Sequence, residues 1–308
     1  MTIYDYNLSI VLKNKVKYED WKRGESYNLN HKTEEDKYNI WLNELLSLIG
    51  KNKSSILSSI KNKDHTYFYP SFSNILKLSK NSVLIKIIFT LKKPYTSKDE
   101  GEFHIIGDKI NENPIVRDRF TGLPMVKPST WKGHLRFAAG KVENCPNDTR
   151  LDDKEKEKII KRLFGSEPGE NKNQLRGRLH FFPTFFKETP ARDVITPLKR
   201  DTRTPARGPI NFEVVKPNST GEFYLLYIPY PRGEDFNEQD VDKDLDFLAS
   251  ALYEMFYTYG FSAKKTSGFG VINTLNEGNI MIEPSEKKKM FSILYTKANK
   301  NVNHSERK

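Results

Sequence analysis

The pattern of apolar and polar positions is strongest in the middle and last thirds of the chain. Ser82 to Leu91 (SVLIKIIFTL) is short, dense and β-branched, which predicts a buried strand. Gly221 to Tyr230 (GEFYLLYIPY) predicts a second strand packed against the first, and Leu175 to Phe186 (LRGRLHFFPTFF) reads as a strand pair interrupted by Pro183. Helical spacing links Trp41, Leu42, Leu45, Leu46 and Ile49 ahead of Gly50, and again Leu245, Leu248, Leu252, Met255 and Phe256 ahead of Gly260. Another helix is expected to start near Ser129, which offers an N-cap, with Leu135, Phe137 and Ala138 opening its apolar face. Residues 151 to 163 (LDDKEKEKIIKRL) form a charge-dense helix whose charges are expected on a solvated face.

Between these elements lie segments that cannot bury themselves. Tyr95 to Asn113 is a polar loop holding Gly101 and Gly107, and loops of that length inside a compact domain tend to carry function. Thr189 to Pro217 has five prolines and the cations Arg192, Lys199, Arg200, Arg203, Arg207 and Lys216. Proline keeps it out of a central sheet, so a basic arm or irregular hairpin is expected. Tyr67, Phe68 and Tyr69 begin an aromatic loop, for which packing is favoured over base stacking.

Charge sharpens the picture. Lys and Arg number 51 against 40 Asp and Glu, a net charge of +11 and a pI near 9.3, which points to a polyanionic partner. The single cysteine, Cys145, excludes an internal disulfide framework, and with no CxxC pair a structural zinc site is not expected. No basic n-region leads an apolar run at the N-terminus, and nowhere do about eighteen apolar residues occur together, so a cytoplasmic protein without a membrane partner is expected.

The candidate chemistry gathers in Asn113 to Arg136 (NPIVRDRFTGLPMVKPSTWKGHLR). A helix start presents free N–H groups to an anion, and Lys132 and Arg136, four apart, would make a phosphate seat of that first turn; an ordinary capped helix with two solvated cations is the plain alternative. Later in the chain, Gly268 and Gly270 allow close backbone approach beside Lys264 and Lys265, or serve a simple helix-to-strand turn.

Thr121, Gly122, Pro124, Ser129, Lys132, Gly133 and Arg136 spell Thr-Gly-x-Pro-x-x-x-x-Ser-x-x-Lys-Gly-x-x-Arg, and Lys265 to Gly270 supplies a late glycine-bearing loop. In this order, over roughly residues 82 to 283, the chain resembles the RAMP superfamily, more narrowly the backbone-type subunits of type III CRISPR effector complexes. The resemblance implies an α+β fold: an RRM-like, ferredoxin-like palm (βαββαβ) with long insertions and a thumb-like basic arm at about 188–217; residues 1–80, which find no counterpart in the family, are expected as a mainly helical N-terminal extension, and 286–308 as a polar tail. It implies guide RNA, target RNA and other RAMP-type subunits as partners. Guide contacts are then expected from Arg117, Arg119, Ser129, Lys132, Gly133 and Arg136, from the arm residues Arg192, Lys199, Arg200, Arg203 and Arg207, and from Lys264, Lys265, Gly268 and Gly270.

Target-cleaving members use an acidic residue, usually Asp, in the loop before the motif. Glu112 stands at the equivalent place here, with Asp108 nearby, so any metal-dependent endoribonuclease activity on paired target RNA would use these two and Mg²⁺. Three readings stay open: a catalytic backbone subunit, a non-catalytic structural or capping subunit at one end of the guide, and a metal-independent guide-processing endoribonuclease drawing on His104, His134 or His180.

Overall fold

The computed structural model describes residues 33–37, 39–41, 44, 69–97, 104–106, 109–111, 113–118, 121–143, 152–167, 174–230 without 198, 200, 203 and 207, and 239–296. The chain divides into two compact units, one drawn from 1–64, 97–125 and 189–214, the other from 65–96, 126–188 and 215–308. This division cuts across the boundary expected near residue 80, because 97–125 and 189–214 leave the second unit to join the first.

The second unit is built on a four-stranded antiparallel sheet. Its strands are β1 (Val83–Thr90), β2 (Leu179–Phe181), β3 (Thr220–Tyr227) and β4 (Ile280–Glu283), in the order β4-β1-β3-β2. The two strongest strand signals of the sequence thus pair directly, from Val83 opposite Tyr227 to Thr90 opposite Thr220. Helices α1 (Pro128–Ala139) and α2 (Asp153–Phe164) fall between β1 and β2 in the chain, and α3 (Gln239–Tyr253) between β3 and β4. Strand alternation sorts the two faces. Val83, Ile85, Ile87 and Phe89 of β1 are buried, and Phe89 joins Trp131 of α1, Phe223 of β3, Phe256 and Phe261 in a cluster of tilted and edge-on rings. On the other face Leu84, Tyr224 and Leu226 are covered by Tyr69, Phe72 and Ile75, with Tyr69 stacked on Tyr224 at 4.2 Å. Tyr69 therefore packs, and residues 69–77 close this face rather than belonging to a separate extension.

The charge-dense α2 does more than face solvent. Ile159, Leu163 and Phe164 are buried, and Arg162 donates to the fully buried Asp244 of α3. Arg178 and the Tyr227 hydroxyl complete the shell around that carboxylate, at 2.8 and 3.0 Å. Lys156 donates to the carbonyls of Gly140 and Val142, closing the end of α1. The third helix runs into a π turn over Glu254–Tyr259 before Gly260, a widening that the helical spacing did not announce. The expected polar tail begins later than residue 286, since Phe291 and Leu294 are fully buried.

In the first unit, the basic segment forms a hairpin, Ala191–Ile195 against Ile210–Val214, with all five prolines outside its strands. A second hairpin pairs His104–Ile106 with Lys109–Asn111 inside the stretch expected as a loop. The helical spacing over Trp41–Ile49 falls mostly outside the described residues; those described at 34–37, 39–41 and 44 are helical, with Thr33 and Asp36 bonded reciprocally at the start.

Candidate nucleic-acid interface

The motif splits into two parts with different roles. Its Thr121-Gly122 half is a tight turn of the first unit: the Asp118 carboxylate accepts from the backbone and hydroxyl of Thr121, both at 2.7 Å, and Gly122 sits at φ +72, where only glycine is unstrained. Arg117 donates to the Gly122 carbonyl and pairs with Glu213 of the 210–214 strand, which also accepts from the Ile115 backbone. Arg117 is 4 % exposed and Glu213 fully buried. Arg117, expected to contact RNA, is instead buried in the fold, where its guanidinium ties the motif turn to the root of the basic hairpin.

The Ser129 to Arg136 half is α1. The helix begins two residues earlier than a Ser129 cap implies, with Lys127 at the N-cap, Pro128 at the first helical position and Ser129 exposed in the first turn. Proline suits that position because its missing N–H would find no intrahelical acceptor. Ser129 is therefore not the cap. Trp131, Leu135, Ala138 and Ala139 form the buried face, anchored where the Trp131 indole donates to Thr184 and Thr184 to the Glu222 carbonyl. Phe137, expected in that apolar face, instead points outward and is 42 % exposed.

What Phe137 does there joins the helix to the late loop. The Lys265 ammonium stands 3.7 Å from its ring centroid, Lys141 lies 6.0 Å away, and Tyr259 meets it edge-on at 5.4 Å. Lys265 follows Gly260 and Phe261, and the loop's course is fixed by backbone: Gly270 donates to Pro94, and Ser262 exchanges bonds with Thr96. Gly270 has φ +77 and a Cβ there would come within 2.7 Å of the Ser262 nitrogen, so it serves the fold. Gly268, at φ +73, has open space around it.

Gly133 is the informative residue of the face. It lies one helical turn before Phe137, its backbone is ordinary helix, and a Cβ would meet nothing within 4 Å. Glycine inside a helix costs about 1 kcal/mol against alanine, and no packing in this unit asks for it. Lys132 beside it is exposed, and Arg136 reaches Glu167 at 2.5 Å in a solvent-exposed ion pair, a kind that contributes little to stability. His134 is half-buried next to Lys265; burial, aided by that cation, pushes its imidazole down to about 4. It is neutral near pH 7 and a weak base, as is His180, lowered by burial and by Arg176.

Lys132, Gly133, Arg136, Lys265 and Gly268 are thus carried by one helix and its adjoining loop, joined through Phe137, while Lys264 is half-buried at the loop's start. Arg192 and Lys199 are exposed on the basic hairpin. Asp108, Glu112, Arg119, Arg200, Arg203 and Arg207, and the side chain of His104, lie outside the described residues. Lys141 and Tyr259 went unnoticed in the sequence and Phe137 was assigned to the wrong face, since nothing in local spacing marks an outward phenylalanine.

The family model of the RAMP superfamily matches residues 90–273, more than half of the chain. The chain belongs to the RAMP superfamily. Among curated relatives of this RAMP protein is the CRISPR system Cms endoribonuclease Csm3 of Streptococcus thermophilus, 27 % identical over 172 residues, which cover 52 % of this chain and 73 % of that protein. Among solved structures, a chain of the type III-B Cmr-beta complex bound to cognate target RNA aligns over 86 % of this chain and 88 % of its own length, with a TM-score of 0.47 and 17 % identity. Among the described residues no helix is long and apolar enough to cross a membrane, and no group of three or more His, Cys, Asp or Glu side chains could hold a metal ion.

Proposed function

We propose that this RAMP-superfamily chain is a guide-RNA-binding subunit of a type III-like CRISPR effector ribonucleoprotein. It grips the strand's phosphates along the exposed face of α1 and the 264–270 loop, with the basic hairpin as a second contact. The observation that carries this reading is Gly133, a helix-interior glycine that its own fold does not require, set between Lys132 and the Phe137–Lys265 pair. A missing side chain on an exposed, cation-flanked face suits a ligand backbone lying against the helix. The sheet order β4-β1-β3-β2, with helices in both crossovers, fits the βαββαβ palm such a subunit would use. The net charge of +11 and the similarity to Csm3 support the same reading.

Fluorescence anisotropy with a labelled single-stranded RNA at low salt tests it. Lys132→Ala, Arg136→Ala and Lys265→Ala should each weaken binding several-fold with little dependence on sequence, because phosphate contacts position a strand without reading it. Absence of RNA binding by the wild type at low salt would remove the proposal.

The curated relative is named an endoribonuclease, which favours a second reading in which this chain also cuts paired target RNA. Asp108 and Glu112 are then the acids that would hold Mg²⁺. Target cleavage by the guide-loaded assembly that disappears in Glu112→Ala or Asp108→Ala, and in EDTA, would establish it; intact target with guide binding retained would leave a structural or capping subunit.

A further inference from the structure

Phe137 is the one phenylalanine among the described residues that lies exposed. A lone apolar side chain on a surface is ordinary, so its surroundings decide what it means. Its ring is held in orientation: Tyr259, from the π turn that ends α3, meets it at 88° with the centroids 5.4 Å apart. Over the ring stands no apolar neighbour but the Lys265 ammonium, 3.7 Å from the centroid. Along α1, Gly133 and Phe137 are four apart in one row, and Lys132 and Arg136 four apart in the next. The helix thus shows a cationic row beside a row that begins with no side chain and ends in an oriented ring.

A single nucleic-acid strand has the same two-part chemistry, charged phosphates on one side and planar bases on the other. Phosphates suit Lys132 and Arg136. At Gly133 a Cβ would meet nothing within 4 Å, so a nucleotide can cross the helix there without meeting a side chain and bring its base to Phe137. The ammonium already on the ring is no obstacle. A cation over an exposed ring is weakly held, whereas a base stacked on an aromatic side chain gains more, and every base has a π-face. Lys265 has a flexible four-carbon stem, and burial disfavours its charge where it stands, so a phosphate nearby is a better partner than the ring.

We propose that Phe137 is a base-stacking platform: a base of the bound strand lies on its ring in place of the Lys265 ammonium, which turns to the adjoining phosphate. The proposal rests on the RNA-binding reading and adds a base contact to its phosphate grip. Lys132, Lys141 and Lys265 around the ring favour RNA over a protein partner, because the core of a protein interface is depleted of charge. Stacking reads no hydrogen-bonding edge, so the site favours bases over none, and large bases over small ones, without fixing a sequence.

The test compares three ligands of equal length by fluorescence anisotropy with the full chain at low salt: oligoadenosine, oligouridine and an abasic ribose-phosphate oligomer. The wild type should bind them in that order of affinity. Phe137→Leu should weaken oligoadenosine about ten-fold more than the abasic oligomer, and Phe137→Trp should keep the preference or enlarge it. Lys265→Ala should weaken all three by similar factors and leave the preference in place, since its ammonium serves phosphate in the bound state. Phe137 is exposed, so both substitutions should fold, and the tryptophan variant separates loss of a stacking ring from a disturbed surface. Equal weakening of all three ligands by Phe137→Leu would overturn the platform, as would unchanged oligoadenosine binding, which would leave the ring to a protein contact. Failure of the wild type to bind any of the three would instead remove the RNA-binding reading itself.

Discussion

Gly133 separates stability from binding within a single residue. Because a Cβ there meets open space, Gly133→Ala should raise the stability of the protein by up to about 1 kcal/mol through helix propensity, measured by chemical denaturation. The same methyl group should lower RNA affinity, whereas an ordinary surface glycine would leave affinity unchanged. His134 gives the pH signature of the site. Its imidazole titrates near 6.5 in the unfolded chain and about 4 in the folded one, so the unfolded state binds more protons between those values. Stability should therefore be full above about pH 6.5 and fall as the pH drops toward 4, and His134→Gln should flatten that part of the profile in denaturation midpoints taken from pH 7 to 4.5.

Elements are held in place by buried and half-buried charges, of which only Arg162 lies in a helix whose charges were expected on a solvated face. Asp244 of α3 is fully buried, and burial pushes its carboxyl up against the pull of Arg162 from α2 and Arg178 ahead of β2. Tyr227 of β3 donates to the same oxygen as Arg178. One carboxylate thus joins two helices to two strands, and removing it strands a guanidinium that is 2 % exposed. Asp244→Asn should cost on the order of 3–5 kcal/mol in chemical denaturation, far above a surface ion pair. An Asn that proved neutral would mean that the arginines find other acceptors. In the other unit, Arg117 and Glu213 make a comparable buried pair and hold the Thr121-Gly122 turn.

For the whole molecule the charge excess predicts how binding responds to salt. For a single strand the slope of log affinity against log salt is about 0.7 per neutralised phosphate, so Lys132→Ala or Lys265→Ala should each reduce it by roughly that amount if each ammonium holds one phosphate. Arg117→Met should leave the slope unchanged while lowering stability, because that cation is spent inside the fold. Copy number per guide in the purified assembly, read by native mass spectrometry, distinguishes the two structural roles: several copies for a backbone subunit, one for a cap.

The sequence by itself determined β1, β3 and most of α3, since alternation and helical periodicity are local and each element buries the residues that announce it. It also carried the motif's spacing and the positive charge. Tertiary structure decided the rest, because the deciding partners are distant in the chain. Arg117 meets Glu213 across 96 positions and Arg178 meets Asp244 across 66, so nothing near either arginine distinguishes a buried brace from an RNA contact. Phe137 and Leu135 are alike to a periodicity reading, yet one carries Lys265 outside and the other is fully buried. The four residues of β4 are too few to signal a strand until β1 supplies their register.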